Sequence, residues 1–186
     1  MPVQIGAKNH HFSDPTGLLS DCHRRIEMFL GSLQAVANVV NRPPDEETRR
    51  ALEAALRYFH DAAPKHTADE EQSLFPRLRR ISTPEVQSAF SRLEELEGDH
   101  RWAEPLHEEV EKLGVEYLGR AELSSAQVEQ FRKAVADLTA MYQRHIAVED
   151  SVLFPVASKA LSPEEKQAIA EEMGVRRKVK LVNLAE

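Results

Sequence analysis

The sequence predicts an all-α protein, four long helices and a short fifth, with the four packed up-down-up-down. Two observations predict it. Ala, Leu and Glu are abundant where Val and Ile are sparse, a composition that favours helix over strand. Apolar residues recur at the spacing of one helical face, and no segment alternates convincingly with a period of two.

Each element follows from its caps and its stripe. Asp14 is a good N-cap and Pro15 a good first helical residue. From there Leu18, Leu19, Cys22, Ile26, Phe29, Leu30, Leu33 and Val36 mark an apolar face, which ends near Val40, before the breaker Asn41-Arg42-Pro43-Pro44. Asp45 caps a second helix expected to reach about Arg80, kinked at Pro64 and Pro76. Thr83-Pro84-Glu85 opens a third, fading near Gly119. Ser124-Ser125-Ala126-Gln127 has the form of a capping box and opens a fourth, ending near Leu161. Ser162-Pro163-Glu164-Glu165 starts the short fifth, and the chain end with Arg176-Arg177-Lys178 reads as a frayed, solvated tail. Residues 1–13 are then an extension, 14–161 the bundle, and 162–186 a short helix with a basic tail.

Composition narrows the function. The chain has 186 residues, 41% of them apolar and 30% charged, the balance of a soluble single domain with a core of its own. A net charge of −7 offers no global basic field, so no nucleic-acid partner is expected. Cys22 is the single cysteine, which excludes a disulfide framework and a thiolate zinc site. No apolar run approaches the roughly 18 residues of a membrane span, and the N-terminus lacks an apolar signal region. A cytoplasmic protein without a membrane partner is expected; monomer and dimer remain equally open. The unusual count is eight histidines.

The histidines sit in an internal repeat. Residues 65–76 and 144–155 both read K/R-H-x-A-x-E-E/D-x-x-L-F-P without a gap, at an offset of 79 residues. His23-Arg24-Arg25-Ile26-Glu27 and His100-Arg101-Trp102-Ala103-Glu104 both read H-R-x-x-E, at an offset of 77. In a helix, positions i and i+4 share a face. Each His therefore shares a stripe with its Glu, and that stripe is the apolar one. Leu19, Ile26 and Leu30 surround His23; Phe59, Ala63 and Leu74 surround His66; Leu93, Leu96 and Ala103 surround His100; Leu138, Tyr142 and Val152 surround His145. The levels match as well. His23 stands roughly 25 Å before the end of its helix and His66 roughly 30 Å after the start of the next, at 1.5 Å per residue. In an antiparallel bundle the four His meet in one layer.

A bare layer of this kind would be unstable. Two carboxylates about 4 Å apart repel by about 4 kcal/mol even at an effective dielectric of 20. Divalent metal reverses the sign, with carboxylates as bridges and neutral imidazoles as donors. Four His with two to four Glu exceed one tetrahedral zinc and suit two metals in five- or six-coordination. Imidazole with carboxylate favours Fe or Mn.

The pattern His23…His66-x-x-x-Glu70…His100…His145-x-x-x-Glu149 resembles the hemerythrin-like, HHE cation-binding family over about residues 14–160, the L-F-P segments included. The resemblance implies a four-helix bundle holding a non-haem centre of two Fe ions, oxo- or hydroxo-bridged, with Mn or Zn as alternatives. His23 and His66 would ligate one iron, His100 and His145 the other, and Glu70 and Glu149 would bridge. The oxygen carriers of the family have a second His one turn after the helix-3 ligand and a longer-spaced aspartate bridge. Glu104 and Glu149 stand there instead, so the chain resembles the bacterial branch. That branch implies binding or sensing of oxygen or nitric oxide, or else a di-iron enzyme acting on peroxide or nitric oxide, or a protein of iron storage and repair.

Three roles are open to Glu27 and Glu104: direct ligand, partner of a ligand, or proton relay. His107, nearly on the His100 face but about 10 Å along the axis, either lines an access path or is a satisfied core histidine. His60 lies about 240° around the helix from His66 and reads as surface. His10 and His11 precede the first helix. Tyr142, one turn before His145, either contacts the site or is core. Cys22 reads as a small buried residue, Trp102 as pointing away from the metals, and Glu71 and Asp150 as solvated or as partners of ligands.

Overall fold

The computed structural model describes residues 14–179, and no strand occurs among them. The helices are α1 (Pro15–Val39), α2 (Glu46–Asp61), α3 (Ala63–Asp69), α4 (Phe75–Leu78), α5 (Pro84–Arg120), α6 (Ser125–Val148), α7 (Phe154–Ala160) and α8 (Pro163–Arg176). Glu70–Leu74 joins α3 to α4 as a π-helical turn, and Glu149–Leu153 joins α6 to α7 in the same way. The extension at 1–13, with His10 and His11, lies outside the described residues, as do residues 180–186.

The expected caps form. Asp14 Oδ1 accepts from the Gly17 N–H at 3.0 Å, and Asp45 from the Thr48 N–H at 2.8 Å. Ser124 and Gln127 close a reciprocal box, as do Ser162 and Glu165. The second helix is not one kinked rod. It breaks at Ala62, which lets Pro64 fall in the first turn of α3, where its missing N–H removes no helical bond. Pro105 lies inside α5, on an exposed part of the helix, where the carbonyl it leaves without a donor can be hydrated.

The chain packs as two compact units. Among the described residues, one comprises Arg25–Pro64 and Leu96–Ile146; the other comprises 14–24, Lys65–Glu95 and 147–179. The first is built on Leu33, Leu52, Leu113, Tyr117, Phe131 and Leu138, all at most 1% exposed. Its buried phenol is satisfied, since Tyr117 Oη donates to the Arg42 carbonyl at 2.7 Å. The second buries Leu19, Leu74, Phe75, Leu78, Leu93, Leu153 and Phe154, together with Ile169, Ala170 and Met173 of α8. The frayed tail expected around Arg176 is therefore corrected. α8 runs to Arg176 with one face buried, and Arg176 and Arg177 both pair with the buried carboxylate of Asp69.

Candidate metal centre

The two L-F-P repeats fold alike, for a local reason. Proline at 76 or 155 has no N–H, and in a continuous α-helix its ring would strike the carbonyl four residues back. The wider π turn just before it relieves the clash. The Glu70 carbonyl accepts from the Phe75 N–H, and the Glu149 carbonyl from the Phe154 N–H, each five residues on. Each turn thus opens on the glutamate of an H-x-x-x-E motif and closes on a buried Leu-Phe pair. Phe154 lies against the His23 ring, stacked at 5.2 Å and 15°.

In the unit that contains both π turns, His23, His66, Glu70 and Glu149 come together. All four are 0–4% exposed, and one ligand atom from each lies within 4.8 Å of the others. His23 Nε2 is 3.1 Å from Glu149 Oε2 and 3.9 Å from Glu70 Oε1, and His66 Nε2 is 3.1 Å from Glu70 Oε1. The far side of the His23 ring is held as well. Asp150 Oδ1 accepts from Nδ1 at 2.9 Å and from Ser20 Oγ at 2.6 Å, while Asp150 Oδ2 pairs with Arg24. With Nδ1 carrying the proton, Nε2 is the nitrogen presented to the carboxylates.

Electrostatics follow from this packing. Burial alone disfavours a charged His23, but the hydrogen bonds to Asp150, Glu149 and Glu70 outweigh it and push its pKa up to about 11. Burial likewise opposes ionisation of Asp150. The hydrogen bonds from His23 and Ser20 and the charges of His23 and Arg24 prevail and hold it below the usual carboxylate range.

In the other unit His100 and His145 face each other. Their Nε2 atoms are 3.2 Å apart and their rings 4.7 Å apart. His145 is backed on Nδ1 by Asp99 Oδ2 at 3.4 Å, the arrangement that Asp150 makes with His23. Tyr142 lies beside it, ring centroids 6.4 Å apart, with its hydroxyl 2.9 Å from His107 Nε2. Burial pushes the His107 pKa down to about 4, so this imidazole is neutral at physiological pH.

The remaining sequence-derived residues divide cleanly. Glu27 and Glu104 are both exposed, and neither stands in a candidate ligand group among the described residues. Four residues advance a helix by about 40° beyond a full turn, which carries these side chains from a buried stripe to its solvent edge. Val152, expected beside His145, is 42% exposed because the π turn advances the chain by less than a normal α step. His60 is exposed and pairs with Glu111 at 3.1 Å, Cys22 is buried, and Trp102 is 48% exposed. Asp99 was missed. Its only sequence signal is adjacency to His100, and a carboxylate beside a ligand position reads as solvated until tertiary packing aims it.

The donor set fits a metal ion. With bonds of about 2.1 Å, adjacent donors around an ion lie about 3 Å apart and opposed ones about 4 Å. The distances of 3.1, 3.2 and 3.9 Å fall on these values. Nitrogen and oxygen donors without thiolate suit Fe or Mn. A family model described as the hemerythrin HHE cation-binding domain matches residues 14–157. A protein of Haemophilus influenzae (strain ATCC 51907 / DSM 11121 / KW20 / Rd), named only as an uncharacterized protein, is 30% identical over 171 residues. That alignment spans 91% of this chain and 93% of the relative.

Proposed function

The chain belongs to the hemerythrin HHE cation-binding domain family, and from that premise we propose that it is a non-haem di-iron protein that binds or senses oxygen or nitric oxide. The observation that carries the reading is the burial of His23, His66, Glu70 and Glu149 around one point, with one ligand atom from each within 4.8 Å of the others and the closest pairs 3.1 Å apart. In this reading His23 and His66 would hold one iron and His100 and His145 the other, with Glu70 and Glu149 as the shared carboxylates, in an up-down-up-down bundle. The internal repeat supports it, because each repeat supplies one H-x-x-x-E and one further His. Iron held there would supply Lewis acidity and a redox couple toward a small ligand.

The chain's own residues prepare that position. Asp150 and Asp99 orient the His23 and His145 rings through Nδ1, and Phe154 packs against the His23 face and keeps water from it. Among the described residues no helix is long and apolar enough to cross a membrane. The second reading, a di-iron enzyme acting on peroxide or nitric oxide, is favoured by one observation. Tyr142 and neutral His107 form a hydrogen-bonded pair beside His145 that can pass a proton.

Metal analysis joined to an anaerobic ultraviolet-visible titration of the reduced protein tests both. Two irons per chain with a reversible band on adding oxygen or nitric oxide support the binder. Turnover of peroxide or nitric oxide over many cycles selects the enzyme. Irons that bleach and leave select iron handling, and less than one metal per chain after reconstitution overturns the reading.

A further inference from the structure

The residues matched by the family end at 157, so α8 lies beyond them. Yet α8 is fastened to the chain segment that carries Glu70. Asp69, immediately before Glu70, is 0% exposed and makes no capping bond to its own π turn. Its carboxylate reaches α8 instead: Oδ1 accepts from Arg176 Nη1 at 2.9 Å, and Oδ2 is 2.5 Å from Arg177 Nη2. Eight residues on, Arg77 returns the contact in the opposite charge sense. It grips Glu172 of α8 through two bonds of 3.1 and 2.7 Å and donates to the Ser73 carbonyl of the π turn at 2.8 Å.

Two anchors of opposite polarity, Asp69 with Arg176 and Arg177 and Arg77 with Glu172, favour one register between α8 and residues 69–77, because a slip that carried Asp69 toward Glu172 and Arg77 toward Arg176 would bring like charges together. The placement is also mechanical. Neighbouring helical side chains diverge by about 100°, so Asp69 points to α8 while Glu70 points into the His and Glu cluster. The peptide between them is held on both sides. A buried carboxylate whose cations are removed is strongly unfavourable, so Asp69 cannot keep its place once α8 leaves.

We propose that α8 is a strap that positions Glu70, anchored through Asp69 by Arg176 and Arg177, and that it keeps metal in the site by preventing the Glu70–Leu74 turn from opening. Arg176, Arg177 and Asp69 are positioning residues; none is a ligand. The inference rests on the metal-binding reading for its second half only, because the ordering of the turn is a property of the metal-free chain too.

The test uses the full chain with Arg176→Gln/Arg177→Gln, with Asp69→Asn, and with all three changes together. Amide hydrogen exchange of the metal-free proteins reads the turn directly. The double variant is expected to speed exchange at residues 70–76, the Phe75 N–H above all, and to leave the amides at 130–140 as in wild type. The same proteins are then loaded with ferrous iron and challenged with a chelator. Release from the double variant is expected to be about tenfold to a hundredfold faster than from wild type. The triple variant is expected to fall between the double and wild type, since Asp69→Asn removes the buried charge that the double leaves without a cation. If the double variant does not fold, Arg176→Lys/Arg177→Lys keeps the charge without the fork, and intermediate acceleration is expected. Exchange raised equally in every helix, additive effects in the triple variant, or unchanged release overturns the proposal. A wild-type chain that takes up no iron overturns the metal reading, while the exchange measurement still decides whether the strap orders the turn.

Discussion

Asp150 stands against His23 with Oδ1 2.9 Å from Nδ1, although 127 residues separate them in the chain. That contact sets which nitrogen of a buried imidazole faces Glu149 and Glu70. It follows that Asp150→Ala weakens iron binding by about tenfold to a hundredfold, the usual effect of losing the partner of a ligating histidine. Asp150→Asn keeps an oxygen acceptor for Nδ1–H and is expected to weaken binding less. Competitive chelator titration checks both, and equal affinities for wild type and Asp150→Ala would refute the role.

Exposure separates the four glutamates of the H-x-x-x-E motifs. Glu70 and Glu149 are fully buried, whereas Glu27 and Glu104 are exposed. Metal content per chain is therefore expected to stay at the wild-type value in Glu27→Gln and Glu104→Gln and to drop by at least half in Glu70→Gln and Glu149→Gln. Plasma emission analysis after identical loading reads this, and loss of metal in Glu104→Gln would restore it as a ligand.

The His23 pKa gives the metal-free protein a specific pH dependence. It is raised from 6.5 to about 11 on folding, so the stabilisation it brings is fully present below pH 6.5 and is lost as pH rises toward 11. The thermal midpoint of the metal-free chain should therefore fall between pH 7 and 10, and His23→Gln should flatten that decline. Loaded protein behaves oppositely on the acid side. Its histidines must be neutral to bind, so protons compete with metal and the stability added by metal shrinks as pH falls. Thermal melts with and without iron at pH 5, 7 and 9 display both slopes.

Ala121 ends α5 with φ at 61°, a left-handed conformation that costs a residue with a Cβ. Its N–H still bonds the Tyr117 carbonyl at 2.9 Å, so the conformation is held as a helix terminator. Ala121→Gly removes the clash and adds some unfolded-chain entropy, for a net gain of about 0.5 kcal/mol. Urea denaturation is the measurement, and a loss of stability would show that the turn is unstrained.

Much of this was legible in the chain itself. Short-range rules set the helix starts, because a cap is a contract between residues three apart, as at Asp45 with Thr48 and Ser162 with Glu165. The repeat marked His66, Glu70, His145 and Glu149, because i and i+4 on one helix share a face whatever surrounds them. It also marked the two L-F-P segments, though not their π winding, which depends on how the helix yields to Pro76 and Pro155. Tertiary structure alone decided the rest. The same H-x-x-x-E spacing is buried at Glu70 and exposed at Glu27, because only packing decides where the edge of a stripe falls. Asp69 and Asp99 carry no signal of their own in the sequence, and Asp150 read as either solvated or the partner of a ligand, until Arg176 and Arg177, His145 and His23 were brought to them. Sequence spacing fixes angles along one helix; it says nothing of which distant charge will arrive to share a buried carboxylate.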